Sequence, residues 1–256
     1  MGLRGDSSGS GSRRHASADE TGAGRRPPIL ILGAMDGEIT AFLERLENIA
    51  DHRWRDFPTY TGSFADRPVV VARSGVGKSL SAMNAQRLID RYRPGALLFT
   101  GLAGAINPVF EIGDVCVAED TLQYDMDARP IGFQLGEIPY TAHRVIPCDP
   151  GLVAKAMETK LPEGRMRRGR ILTGDRFVTR GAYQQMGYLR SELEGDAVEM
   201  EGASVALVAR VNELPVVVVR TISDKADTSA KVDFERFLPR ASENSALVVG
   251  EILRRI

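Results

Sequence analysis

No stretch of this chain stays apolar for anything near the ~20 residues a membrane-crossing helix needs, so a helical span is not expected. Cysteine is scarce. The 256 residues hold two, Cys116 and Cys148, far apart and in no CxxC pair, which argues against a disulfide framework and for a reducing, cytoplasmic setting. The three histidines, His15, His52 and His143, are scattered, so no zinc or other metal site is expected. No nucleophilic cysteine or Ser–His pair stands out. Excess charge is missing too: 33 Lys and Arg against 34 Asp and Glu leave a formal net charge of −1. Such a chain has no basic field for nucleic acid and no polybasic patch for a membrane surface. Internal repeats are absent. What remains is an ordinary globular composition, 43% hydrophobic and 26% charged, in a length that suits one large α/β domain or two small ones.

Residues 1–27 nearly lack large apolar side chains and are rich in Gly, Ser and Arg. They bury too little surface to offset their ordering entropy and read as a disordered tail. Asp6, Asp19 and Glu20 count against a transit peptide. The folded part, 28–256, reads as one α/β domain. It opens with a buried strand over 29–32, and Gly33-Ala34-Met35-Asp36-Gly37-Glu38 turns from it into a helix over 39–48. Two strands follow, one containing TYTGSF and one over 69–72. A helix is expected over 80–91, and strands over 96–100 and 115–118. Residues 121–140 read as an ordered excursion whose Asp125 and Asp127 are solvated or capping acids rather than a cation site. A helix is expected over 150–160, a solvated basic face at 165–170, and a strand from Ile171 ending at Gly174. An amphipathic helix over 234–256, broken near Pro239, closes the chain.

The chain is organised around 196–227, DAVEMEGASVALVARVNELPVVVVRTISDKAD. A short apolar run ends in Glu199, Met200 and Glu201. Helical density follows to Val211, and the β-branched run Val216–Val219 then leads into Arg220, Ser223 and Asp224. This reads as strand, helix, strand, a right-handed crossover in a parallel sheet, with its acids at the strand ends where ligands bind in open α/β sheets. Glu38 sits at a comparable strand-to-helix turn, although an acid there also complements the helix dipole. Ser74-Gly75-Val76-Gly77-Lys78-Ser79 imitates a phosphate-binding loop, but Ala72 stands where that motif needs its first glycine. The expectation is therefore a tight turn without triphosphate binding. Ser74 can serve as a helix cap.

Six segments share their order with the nucleoside phosphorylase superfamily: GAMDGE from Gly33, SGVGK from Ser74, TGLAG from Thr100, TGDRF from Thr173, VEMEG from Val198 and RTISD from Arg220. The chain most resembles the superfamily's 5′-methylthioadenosine/S-adenosylhomocysteine nucleosidase branch, over roughly residues 29–256. The resemblance implies a three-layer α/β/α sandwich around a twisted mixed sheet, hydrolysis of an N-glycosidic bond, and no cofactor. It implies that Asp224 protonates the purine at N7, for which burial would favour the neutral acid. Glu38 would deprotonate the attacking water, with Arg220 beside it. Glu201 would hold the ribose hydroxyls over Met200, Phe177 would stack on the base and the Val178 backbone would read its edge. Met35, Ala103, Gly104, Glu199, Ser223 and Phe234 would complete the substrate site. The resemblance further implies a homodimer in which Ile131 and Pro139 wall the partner's 5′ pocket.

One departure bears on the chemistry. Leu102 occupies the third position of the TGLAG turn, where phosphorylases of the superfamily carry a hydroxyl for phosphate. Leucine offers phosphate no hydrogen bond, which favours water as nucleophile. A phosphorylase of the same fold and a non-catalytic nucleoside-binding module are the alternatives. Phosphate dependence separates the first, and retention of Glu38, Glu201 and Asp224 argues against the second.

Overall fold

The computed structural model describes residues 26–178, 186–225 and 230–256, with side chains from Phe237 onward in the last segment. Most of the expected N-terminal tail, residues 1–25, lies outside the described residues.

Four strands build one wing of a mixed sheet. β1 (Ile29–Gly33) runs parallel to β4 (Arg67–Arg73). β4 forms a hairpin with β3 (Thr59–Phe64), and β2 (Glu47–Asp51) closes the edge. The hairpin turn places Ala65 and Asp66 at φ of 50° and 60°, the left-handed pair that matches strand twist. On its other side β1 pairs with β5 (Ala96–Ala105).

From β5 the sheet closes on itself. β5 pairs in parallel with β10 (Val216–Asp224), and β10 pairs antiparallel with β6 (Val115–Gln123). β6 is parallel to β8 (Met166–Thr173), β8 is parallel to β9 (Ala197–Glu199), and β9 returns antiparallel to β5. β7 (Val145–Pro147) adds to the edge of β6. Helices cover both faces, giving the expected three-layer α/β/α arrangement around a mixed sheet. α1 (Asp36–Leu43) and α3 (Pro150–Met157) pack against the terminal α6 (Ala230–Arg254). α2 (Lys78–Tyr92) packs against α5 (Gly202–Val211), and α4 (Tyr188–Ser191) is a single turn. The core is the β-branched and leucine content of the central strands: Leu30–Leu32, Val69–Val71, Leu97–Phe99 and Val216–Val219 are all buried. Each such side chain contributes about 1.5–3 kcal/mol.

The structure corrects several expectations. β9, α5 and β10 are not a parallel crossover, because β9 is antiparallel to β5 while β10 is parallel to it. Ring closure reverses the direction that an open sheet would impose. The first helix ends at Leu43, and β2 occupies residues read as its continuation. All five β2 residues are exposed, and a bulge at Asn48 (φ 53°) breaks their alternation, so periodicity could not reveal the strand. The basic run 165–170 is mostly the first half of β8. Its charges are met by acids: Arg167 Nε donates to Asp114 at 3.0 Å, and Arg170 Nε and Nη2 donate to Asp120 at 2.6 and 3.1 Å. β6 runs on through Gln123, into the segment read as an excursion. α6 passes through Pro239 without a break. The lost hydrogen bond there is offset by the buried face of Ala241, Val248, Val249, Ile252 and Leu253.

Candidate active site

The site opens where β5 changes neighbours. β1 accompanies it as far as Phe99, and β9 takes the same flank only at Gly104. Between them the backbone of 100–103 is left without a strand on that side. Glu38 fills the gap: Leu102 N donates to its Oε1 at 3.1 Å. Its Oε2 accepts from Ala34 N at 2.6 Å and Met35 N at 3.1 Å. Glu38 thus caps its own helix, as its first-turn position suggested, and faces the gap as well. Gly101 is required at this crossing, since a Cβ there would lie 2.5 Å from Glu38 Oε1. Glu38 is buried, and loss of solvent raises its carboxyl above the usual range. Arg220 and the three amides oppose that rise.

β10 supplies the second acid. Asp224 pairs in register with Gly104, two residues along β5 from the Leu102 amide. It is buried, and Ser223 Oγ donates to its Oδ2 at 2.7 Å. The same hydroxyl lies 3.4 Å from Ala103 O.

β9 arrives from the opposite direction with the third group. Glu199 is saturated. It accepts from Arg220 Nη2 at 2.6 Å, from Glu201 N at 3.1 Å, from Gly202 N and from Thr173 Oγ1. Arg220 is itself buried, with Cζ 4.2 Å from the Phe99 ring centroid. Burial works against its charge, but Glu199, Glu38 and Glu201 outweigh this and raise its pKa. Glu201 is left to face the cavity, with its Oε1 accepting from Gly77 N at 2.8 Å. Burial first, then the charge of Glu199, raises the Glu201 carboxyl.

A cavity of about 260 Å³ joins these groups. Met35, Glu38, Leu102, Ala103, Gly104, Phe177, Val178, Glu199, Met200, Glu201, Ser223 and Asp224 all line it, as do Ala34, Val76, Arg176 and Val198, which the sequence reading did not single out. All four sit inside motifs already noted, so adjacency was their available signal. Arg220 does not belong to this lining among the described residues; it lies behind Glu199. Ile131, 65% exposed, and the half-buried Pro139 are likewise outside it. The side chain of Phe234 lies outside the described residues.

The 74–79 turn is no phosphate loop. Gly75 and Gly77 have φ of 86° and 88°, values that glycine alone adopts readily. The turn's amides are already taken by carboxylates: Gly77 N by Glu201, and Lys78 N by Asp175 Oδ1 at 2.8 Å. Ser74 does not cap α2; its Oγ donates to Gly75 O at 3.1 Å, and Gly77 is the N-cap. Asp125 and Asp127 do not form a cation site. The first accepts from Lys78 Nζ at 2.6 Å and the second from Arg129 Nη2 at 2.7 Å. Among the described residues no group of three or more His, Cys, Asp or Glu is arranged to hold a metal ion.

Comparison with known proteins gives the chain's family. The family model described as "Phosphorylase superfamily" matches residues 28–254. The chain is 37% identical to the aminodeoxyfutalosine nucleosidase of Campylobacter jejuni over 229 residues, covering 89% of this chain and 99% of the relative. It is 32% identical to the 5′-methylthioadenosine/S-adenosylhomocysteine nucleosidase of Shewanella sediminis over 230 residues, covering 89% and 99%. The crystal structure of the Neisseria meningitidis 5′-methylthioadenosine/S-adenosylhomocysteine nucleosidase in complex with methylthio-immucillin-A superposes with a TM-score of 0.84 at 30% identity, covering 90% of this chain and all of that one.

Proposed function

Because this chain belongs to the phosphorylase superfamily, we propose that it is a purine nucleosidase. It hydrolyses the N-glycosidic bond of 5′-methylthioadenosine, S-adenosylhomocysteine or a related adenine nucleoside. The observation that carries this reading is the pairing of two buried carboxylates on β5: Glu38 at the Leu102 amide and Asp224 beside Gly104. Hydrolysis needs two proton transfers on opposite sides of one bond. Asp224, oriented by Ser223, gives its proton to N7 as the C1′–N9 bond breaks and its electron pair passes to the purine. Glu38 takes a proton from water as the oxygen bonds to C1′. The products are free adenine and a ribose derivative.

The other residues serve these two. Glu201 holds the ribose hydroxyls over Met200, and Phe177 and the Val178 backbone hold the base. Glu199 and Arg220 position the turn that carries Glu201, so Arg220 acts through Glu199 rather than on the reacting atoms. Water is the nucleophile. The nucleophile's end of the cavity presents the Glu38 carboxylate and the apolar Leu102, which repel or fail to bind phosphate. The amides of Gly77 and Lys78 in the nearby turn are already taken by Glu201 and Asp175. Residues 28–256 act as one unit, as a homodimer in which Ile131 and Pro139 reach the partner's 5′ pocket. Buried free Cys116 and Cys148 suit a reducing cytoplasm.

Incubation with several adenine nucleosides, with and without phosphate, tests the reading. Free adenine should appear at the same rate in both. Release that depends on phosphate would make the protein a phosphorylase, and adenine binding without release would make it a non-catalytic module.

A further inference from the structure

Two neighbouring amides at the start of α2 hold opposite parts of the site. Gly77 N takes Glu201, the carboxylate on the ribose side. Lys78 N takes Oδ1 of Asp175, which opens the segment Arg176-Phe177-Val178 on the base side. The Lys78 side chain then donates to Asp125 Oδ1 at 2.6 Å. The other oxygen of Asp125 accepts from Asp175 N at 2.9 Å. Lys78, Asp125 and Asp175 therefore form a closed ring of hydrogen bonds joining α2, the end of β6 and the end of β8. Tyr124, next to Asp125, supports the same segment from below. Its hydroxyl donates to Arg176 O at 3.3 Å, and its ring lies where any side chain at Gly174 would have to be. Lys78 and Asp125 are 18% and 30% exposed, so the pair is partly shielded from solvent.

From this ring we propose that Lys78, Asp125 and Asp175 are positioning residues that set the purine-stacking segment 175–178 against the ribose carboxylate Glu201. The proposal rests on the nucleosidase reading above. The ring touches no reacting atom, so its effect is on how much of the protein holds a binding-competent pocket. Apparent affinity falls by that fraction, while the bound complex reacts as before. The tie is also ionic and close to solvent, so salt weakens it. 5′-Methylthioadenosine is uncharged, and salt dependence of its KM therefore reports on the protein.

The test compares wild type with Lys78→Met, Asp125→Asn, their double variant and Lys78→Arg. It follows adenine release from 5′-methylthioadenosine and calorimetric binding of adenine at low and high salt. The expected result is a KM raised about 2–5-fold in each single variant, the scale of a partly exposed ion pair, with kcat unchanged. The double variant should be no worse than either single one, as two members of one pair require. The wild-type KM should rise with salt and the variants' should not, and Lys78→Arg should recover part of the loss. Wild-type values in Lys78→Met and Asp125→Asn would overturn the inference. So would a joint fall of kcat and thermal midpoint, which marks a general loss of structure. A wild type that binds adenine without releasing it removes the nucleosidase reading alone, because the variants' adenine affinity still tests the ring. A wild type that binds no adenine overturns both.

Discussion

At the residue scale the site turns on two carboxylates placed in different surroundings. Glu38 is clamped by three backbone amides and buried. It must be ionised to accept a proton, and burial raises its pKa above the ordinary carboxylate value. Activity that requires ionised Glu38 is present above that raised value and is lost as pH falls through it. The acid limb of kcat/KM should therefore lie above the usual carboxylate range, which a pH–rate profile measures. Glu38→Gln should lower kcat by about 10²–10⁴-fold while adenine still binds; near-normal turnover would remove its role as base. Asp224 is the donor, held by Ser223 at 2.7 Å. Asp224→Asn keeps a hydrogen bond to N7 but has no proton to deliver. 5′-Methylthioadenosine should bind this variant and hardly react, while a substrate with an activated leaving group recovers much of the rate. Equal slowing of both substrates would mean that Asp224 only positions the base.

At the element scale the sequence revealed motifs more readily than directions. The β-branched run of β10 was legible because burial on both faces demands those residue types, whereas the small residues 101–104, read as lying beyond a strand over 96–100, are a continuation of β5. GAMDGE, VEMEG and RTISD stood out because each joins a strand end to a carboxylate. The reversed path of β9 was not legible, since three residues carry no directional signal and their pairing depends on ring closure. The clamp on Glu199 was hidden for the same reason: Thr173, Glu199 and Arg220 come from β8, β9 and β10, and only the closed ring brings them together. The ion pair of Arg220 with Glu199 is 1% and 3% exposed. Removing one partner of such a pair leaves a buried charge and costs about 3–5 kcal/mol. Arg220→Met should lower stability by about that amount in chemical denaturation. A wild-type midpoint in Arg220→Met would show that Glu199 finds other compensation.

At the scale of the whole molecule, one chain leaves apolar surface around its own site. Phe177 lines the cavity and is 47% exposed, and Val76, also in the lining, is 47% exposed. Leu80 and Met83 on α2 are 42% and 41% exposed, one helical turn apart and following Val76 in the chain. The 3₁₀ turn Arg129–Ile131 leaves Ile131 65% exposed, and Tyr140 is 89% exposed. Scattered single residues of this kind need no explanation, but here several follow the cavity turn along one face of α2. A second copy that covered this face would complete the 5′ side of the pocket with Ile131 and Pro139, which do not line the cavity of their own chain. Light scattering should accordingly give twice the mass of one chain. Ile131→Asp should weaken association and raise the KM for 5′-methylthioadenosine, while leaving adenine affinity nearly unchanged, because adenine does not reach the 5′ pocket. A fully active monomer would refute the assembly, and an equal loss of affinity for both ligands would place Ile131 nearer the base than the 5′ group.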